Sequence, residues 1–330
     1  MTHGPPTISV IVPTRNRPTA LGRCLSSLAQ QDLPSESFEI LVVDDGSAAP
    51  VTVDPAVSTR VRTRVLRQPH GGPAAARNVG VQKARGRFVA FTDDDCVAGR
   101  TWLSALVEVL ERSPGAGAGG QVINALAGNA WSEASQMLIA FLYGYYNRDP
   151  VSARFFTSNN LAFPRDRLIE VGGFDPVYQR AAAEDRELCD RWTAAGRRLV
   201  YVPAARVSHE HAMTLRSFWR QHYVYGRGAW GFRQARARRG AGPVRVEPLS
   251  FYWGLVTYPL QHHGASGVRL VARLVLAQAA NAAGFLSEAA RAGSAASLLV
   301  TYAMMTGPCP RRREPPAESS RSSSGCGATR

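Results

Sequence analysis

Cysteine is scarce and unpatterned in this chain. Cys24, Cys96, Cys189, Cys309 and Cys326 are an odd number with no close pair, which argues against both a disulfide framework and a zinc-ligand spacing. The amino terminus, MTHGPPTISVIVPTRNR, holds an apolar run of only about five residues, short of the apolar core of a secretory leader. A reducing, cytoplasmic setting is expected. No GxGxxG follows the first apolar run, so the fingerprint of a dinucleotide oxidoreductase is missing. Acidic residues are the minority, 25 Asp and Glu against 39 Lys and Arg, for a formal net charge of +14. That balance suits a polyanionic partner, whether nucleic acid, an anionic membrane face or a phosphorylated substrate. Long unbroken apolar runs are also lacking. Residues 248–268 carry no formal charge, but Pro259, Gln261, His262 and His263 make them a poor spanning helix, and Arg269 and Arg273 follow.

Enough apolar sequence remains for a large core: 45% of residues are hydrophobic and 19% charged. Residues 8–12 (ISVIV) read as a buried strand closed by Pro13. Leu21, Leu25 and Leu28 recur at helical spacing, with Thr19 as cap and an end near Gln31. Residues 38–43 form a second strand, stopped by Asp44, Asp45 and Gly46. Residues 61–67 suit an edge strand, Pro73 opens a helix over 74–84, and 88–91 form another strand. Strands alternating with helices predict a largely parallel sheet. A helix with Leu103, Leu106, Val107 and Leu110 on one face follows from Trp102. Beyond the glycine-rich residues 115–120 the pattern changes. Residues 131–146 read as a helix or a groove wall, 155–164 as a strand passing a polar corner, 184–195 as a helix ended by Gly196, and 199–202 and 206–208 as two short strands around Pro203. Residues 216–245 interleave arginine with aromatics, and 274–287 and 292–305 are short apolar stretches. The tail 308–330, rich in Pro, Ser and Arg, is expected to be disordered.

Polar clusters fall where predicted strands end: Thr14 with Arg15, Asp44 with Asp45, and Asp93, Asp94 and Asp95 after RFVAF. In a parallel α/β sheet the ligand crevice lies at those ends. Adjacent carboxylates repel, so Asp93 and Asp95, on one side of an extended backbone, suit a divalent cation. An acidic turn ahead of the next helix is the competing reading, and local sequence alone leaves both open.

The segments VIVPTRNRP, EILVVDDGS, PAAARNVGVQKARGRFVAFTDDDC and AEDREL, in this order, resemble the inverting family 2 glycosyltransferases over residues 8–211. The resemblance implies a GT-A fold: a Rossmann-like, mixed and mainly parallel sheet flanked by helices, here with a C-terminal helical extension. It implies a glycosyltransferase domain over 1–212, with a nucleotide-sugar half (1–125) and an acceptor half (126–212). An extension over 213–307 and the tail complete the chain. By the same resemblance, Pro13, Thr14, Arg15, Asp45, Arg77 and Asp93 hold the nucleoside-diphosphate sugar. Asp95 and His209, with Asp93, hold Mn²⁺ or Mg²⁺, His211 being the competitor of His209. Asp94 is expected to point away. Asp185 deprotonates the acceptor hydroxyl, with Glu184 as its alternative, and Ser158, Asn159 and Asn160 line the acceptor side.

The implied reaction is a metal-dependent, inverting single displacement onto an acceptor hydroxyl, in the synthesis of envelope glycan, polysaccharide or glycolipid. The acceptor is a carbohydrate or a lipid-linked molecule. A basic nucleic-acid-binding protein and a non-catalytic membrane-bound scaffold are the rival classes. Carboxylates at the crevice would repel a polyanion, and no zinc-finger or RNP-like motif occurs; neither nucleic acid nor a protein partner is expected. The arginines beside apolar stretches suit peripheral contact with anionic lipid on the inner face of the plasma membrane. A helical cap over the site explains the same residues.

Overall fold

A computed structural model describes residues 4–180, 182–242 and 247–293. The expected disordered tail, and all but the first two residues of the apolar stretch 292–305, lie outside these. The chain runs β1 (Ile8–Thr14), α1 (Pro18–Leu28), β2 (Phe38–Asp45), α2 (Pro55–Ser58), β3 (Thr63–Gln68), α3 (Pro73–Lys83), β4 (Phe88–Phe91), β5 (Cys96–Ala98) and α4 (Trp102–Arg112). It continues through β6 (Gly117–Asn124), α5 (Ala130–Tyr146), β7 (Leu161–Pro164), α6 (Arg165–Glu170), α7 (Glu184–Ala194), β8 (Leu199–His209), α8 (Leu215–Arg238), α9 (Leu249–His263) and α10 (Val268–Arg291). The strands form one mixed sheet in the order β3-β2-β1-β4-β7-β6-β8-β5, with β1 to β4 mutually parallel. Strand order reverses between β1 and β4, which opens a crevice at their carboxyl ends.

β1 shows why the sheet forms. Ile8, Val10 and Val12 join Leu21 and Leu25 of α1 and Trp102 and Leu106 of α4 on one face, while Ile11 joins Ala74 and Val81 of α3 and Leu188 of α7 on the other. Period-two alternation feeds two cores, so the strand is β-branched and buried throughout. Pro13 is tolerated because β4 pairs with β1 only as far as Ile11. α3 lies close against β1 at Gly80, where a Cβ would stand 2.4 Å from Ile11 Cγ2.

Three expectations change. Thr19 does not cap α1: Arg17 precedes the helix and Pro18 opens it, the position where its fixed φ and missing N–H are harmless. Helix α1 also stops at Leu28, short of Gln31. The two short strands around Pro203 are one strand, β8, whose register against β6 jumps from Gly120↔Val202 to Gln121↔Arg206. Asn160 holds that bulge together, its Nδ2 donating to the carbonyls of Gln121 and Ala205 at 2.9 Å and its Oδ1 accepting from Trp102 Nε1 at 2.8 Å.

The basic aromatic segment is largely α8, and three of its arginines form ion pairs within the fold, whereas Arg216 and Arg220 are exposed. Arg227 pairs with Glu288 of α10, and Arg236 and the following Arg239 pair with Asp190 of α7. α8 and α10 touch through glycines: a Cβ on Gly226 would stand 1.9 Å from Asn281 O, and one on Gly284 1.9 Å from Tyr223 O. Over 249–291 the chain is apolar enough to cross a membrane by length and composition, but the turn at Gly264–Gly267 divides it into α9 and α10. α10 packs on α8 and α5, and Leu270, Leu274, Ala277 and Ala280 are buried there.

Candidate active site

At the end of β2 the carboxylate of Asp45 is saturated by the chain itself. It accepts from Gln68 Nε2 (2.7 Å), His70 Nδ1 (2.8 Å) and the backbone amides of Gly71 (2.8 Å) and Gly72 (2.9 Å). Burial opposes ionisation, but these four donors outweigh it and hold the carboxyl below its ordinary value. Arg15 Nη1 donates to His70 Nε2 at 2.9 Å. Nε2 must therefore accept, which leaves the proton on Nδ1 to bond Asp45. Gly46 is required at this turn: its φ is +75°, and a Cβ would meet His70 N at 2.8 Å.

The three aspartates after β4 do not share one fate. Asp93 Oδ1 accepts from Arg77 Nη2 at 2.7 Å. Asp94, expected to point away, turns inward: Oδ2 accepts from Thr14 Oγ1 at 2.7 Å and Oδ1 from Arg17 Nη1 at 3.1 Å. Burial pushes its carboxyl up to about 6. Asp95 accepts from the same Arg17 nitrogen at 2.8 Å and lies 3.2 Å from His209 Nε2. Burial disfavours its charge, but the hydrogen bond and charge of His209, with Arg17, hold it down at about 2. The antiparallel pair Cys96↔His209 of β5 and β8 brings His209 to Asp95.

Arg77 is buried, not an exposed helical charge. One turn before Gly80 on α3, it donates from Nη1 to Glu184 Oε1 (3.1 Å) and from Nη2 to Asp93, and its guanidinium lies 5.3 Å from the Phe174 ring centroid. It thus ties the acidic turn to the start of α7. Glu184 also accepts from Ala182 N at 2.7 Å; burial and the neighbouring Asp185 push it up to about 7 against the pull of Arg77. Burial raises Asp185 as well, although Arg186 N donates to its Oδ1 at 2.7 Å. Ala183, with φ of +69°, sets the turn that points both carboxylates inward.

Asp93, Glu184, Asp185 and His209 line one cleft of about 680 Å³, which continues between α5, α8, α9 and α10. Ser158 and Asn159 also line it, whereas Asn160 does not, its amide being committed to the β8 bulge. Sequence reasoning missed Arg17, Gln68, His70 and the cleft-lining Tyr225. The first sits inside the motif PTRNRP and the next two lie at the end of β3 and just after it, which was the signal available. Burial and the charges of Asp185 and Glu184 keep the Tyr225 phenol protonated.

Among the described residues, the ligand atoms of Asp95, Cys96 and His209 lie within 4.8 Å of one another. Burial and Asp93 raise the Cys96 thiol, and the carboxylate and the imidazole are the harder donors of the three. That set fits Mn²⁺ or Mg²⁺. Asp93 is outside this group because its carboxylate turns to Arg77.

The reversed strand order, with Asp93, Glu184 and Asp185 facing one cleft, is that of a GT-A-like fold. Residues 9–172 match the family model for glycosyl transferase family 2. The chain belongs to glycosyl transferase family 2. It is 32% identical over 227 residues to the pre-mycofactocin glycosyltransferase of Mycobacterium tuberculosis strain H37Rv, covering 67% of this chain and 46% of that protein. The chain thus spans about half the length of that curated relative. Among solved structures, the fold resembles the mannosyltransferase PcManGT from Pyrobaculum calidifontis, in complex with GDP-Man and Mn²⁺. The TM-score is 0.55 and the identity 23%, over 92% of this chain and 81% of that one. It also resembles GalNAc-T7 with UDP, GalNAc and Mn²⁺ (TM-score 0.51, 18% identity, 79% and 58% covered). These two likenesses establish the fold.

Proposed function

We propose that the chain moves a sugar from a nucleoside-diphosphate sugar onto an acceptor hydroxyl with inversion, at the cleft shared by Asp93, Asp185 and His209. The observation that carries this is the bridge Asp93–Arg77–Glu184, which joins the carboxyl end of β4 to the first turn of α7. A site for the leaving diphosphate and a carboxylate for the incoming hydroxyl thereby face one space. Of the two carboxylates, Asp185 is the candidate base, because Glu184 already holds Arg77 and Ala182 N on its two oxygens. Arg77 stabilises negative charge on the departing diphosphate side, and preorganised charge of this kind acts where charge develops. A divalent cation on Asp95 and His209 would neutralise diphosphate oxygens. The solved relatives with bound nucleotide and Mn²⁺ support that donor class and metal.

Nucleotide binding and transfer separate the roles. Asp185→Asn is expected to keep calorimetric binding of UDP or GDP with Mn²⁺ and to lower transfer by about 10²–10⁴-fold, the range for a lost general base. Equal loss of nucleotide binding would remove Asp185 from that role. We also propose a cytoplasmic location with peripheral contact on anionic membrane, where envelope glycans or glycolipids are made. Leu249 (87% exposed) and Trp253 (73%) of α9 and Val268 of α10 present exposed apolar side chains, and Val268 is followed directly by Arg269. The full chain should sediment with phosphatidylserine vesicles at low salt, and failure to do so would overturn the location.

A further inference from the structure

The cleft is larger than the chemistry at its inner end requires. Beyond Asp185 its lining is mainly apolar, with Ile139 and Leu142 of α5, Ala229 of α8, Phe251 of α9 and Phe285 of α10, interrupted by polar groups such as Gln136, Gln278 and Asn281. At about 680 Å³ it falls within the ordinary range of small-molecule pockets, about 300–1,000 Å³. Tyr252 and Leu286 line it too, yet both are exposed, 39% and 48%, so the apolar lining runs out onto the surface of α9 and α10. The wall between α8 and α10 is built backbone to backbone at Gly226 and Gly284, which favours a fixed slot over a collapsible gap. Sugar hydroxyls placed against Ile139, Leu142 and Phe285 would lose water without gaining hydrogen bonds.

We propose that this outer half is an acceptor-tail site. The acceptor is an amphiphile whose hydroxyl-bearing head meets Asp185 and whose hydrocarbon body lies between α5, α8 and α10, leaving beside Tyr252 and Leu286. The assignment rests on the glycosyl-transfer reading for its head and on the apolar walls for its tail. It makes α8, α9 and α10 part of substrate selection as well as a cap.

Methyl, hexyl and octyl β-glucosides, below their micellar concentrations, are the probes. Calorimetric titration of the full chain with UDP or GDP and Mn²⁺ present should show binding tightening by about fourfold per added methylene, the factor equivalent to about 0.8 kcal/mol per buried CH₂. Ala229→Trp, which fills the slot, and Leu142→Gln, which makes one wall polar, should flatten this chain-length dependence while circular dichroism confirms a native fold. Trp253→Ser, outside the cleft, should keep it. Chain-length independence in the parent, or a dependence that survives in both cleft variants or disappears in Trp253→Ser, would overturn the tail site. A parent that binds alkyl glucosides with the expected slope but binds no UDP or GDP would sink the glycosyl-transfer reading and leave the slot standing.

Discussion

Arg77→Met is expected to destabilise the fold by about 3–5 kcal/mol, the range for removing one partner of a buried ion pair. The Arg77 and Glu184 side chains are 2% and 3% exposed and 3.1 Å apart, so neither carboxylate nor guanidinium has water to fall back on. Asp93, 30% exposed, can hydrate when its partner goes and should contribute less. The penalty must also depend on pH. With Arg77 present, Glu184 is already pushed up from 4.5 to about 7, by burial first and Asp185 second. A carboxyl raised on folding leaves the native state holding more protons than the unfolded one between those two values, so stability falls as pH rises through that window. Without Arg77 the folded value moves higher, and the loss continues above pH 7 where the parent levels off. Each further tenfold weakening of the Glu184 acid adds about 1.4 kcal/mol to the penalty at high pH. Urea midpoints at pH 6 and pH 9 therefore separate parent and variant more at pH 9. Arg77→Met combined with Glu184→Gln should recover about 1–3 kcal/mol, since the amide carries no charge to strand. A single-variant penalty under about 1 kcal/mol, or one equal at both pH values, would refute Arg77 as the counterion of Glu184.

Asp95→Asn should abolish saturable Mn²⁺ binding followed by electron paramagnetic resonance and should also lower nucleotide-free melting at neutral pH, since a carboxyl held down by His209 and Arg17 stabilises the fold there; retained Mn²⁺ binding would move the metal elsewhere. Because Asp185 is raised by burial, transfer should fail on the acid side at a higher pH than for an ordinary carboxylate. An acid limb at the ordinary carboxylate position would remove Asp185 as the base. Gly226→Ala places a Cβ 1.9 Å from Asn281 O and should cost about 1–3 kcal/mol in thermal or urea unfolding by forcing α8 from α10; a neutral substitution would mean that contact is not tight.

The part of the fold that was readable from sequence is the part in which local pattern and burial agree. β1, β2 and β4 are buried on both faces and so appear as unbroken apolar runs, and Pro73 opens α3 as expected. β5 is only three residues long and pairs with a strand more than a hundred residues later, so no local periodicity announces it. The same holds for the β8 bulge, which Asn160 fixes from another part of the chain. Asn160 reads as a turn or acceptor residue because its partners, Trp102, Gln121 and Ala205, are invisible to spacing. Motif resemblance brought Arg77 and Asp185 to one region, but only packing shows that Glu184 stands between them in the charge network.

The acidic strand ends pose one physical problem, crowded negative charge, and the fold answers it differently at each carboxylate. Asp45 is satisfied by four donors at the end of β3 and in the loop before α3, and has little left to offer a small ligand except through Arg15 and His70. Asp94 is buried against Thr14 and drifts toward its protonated form. Asp95 keeps its charge because His209 and Arg17 reward it, and Arg17, 53% exposed, is a cation on a flexible stem that can leave. An incoming divalent cation would compete with Arg17 for Asp95 Oδ2, which makes Arg17 the internal counterion of the resting site. The middle aspartate therefore supports the turn, and the outer two carry the exchangeable charge: Asp93 toward Arg77 and the α7 carboxylates, Asp95 toward His209. A run of three identical residues becomes three chemically distinct groups because β1, α3 and β8 each meet a different one.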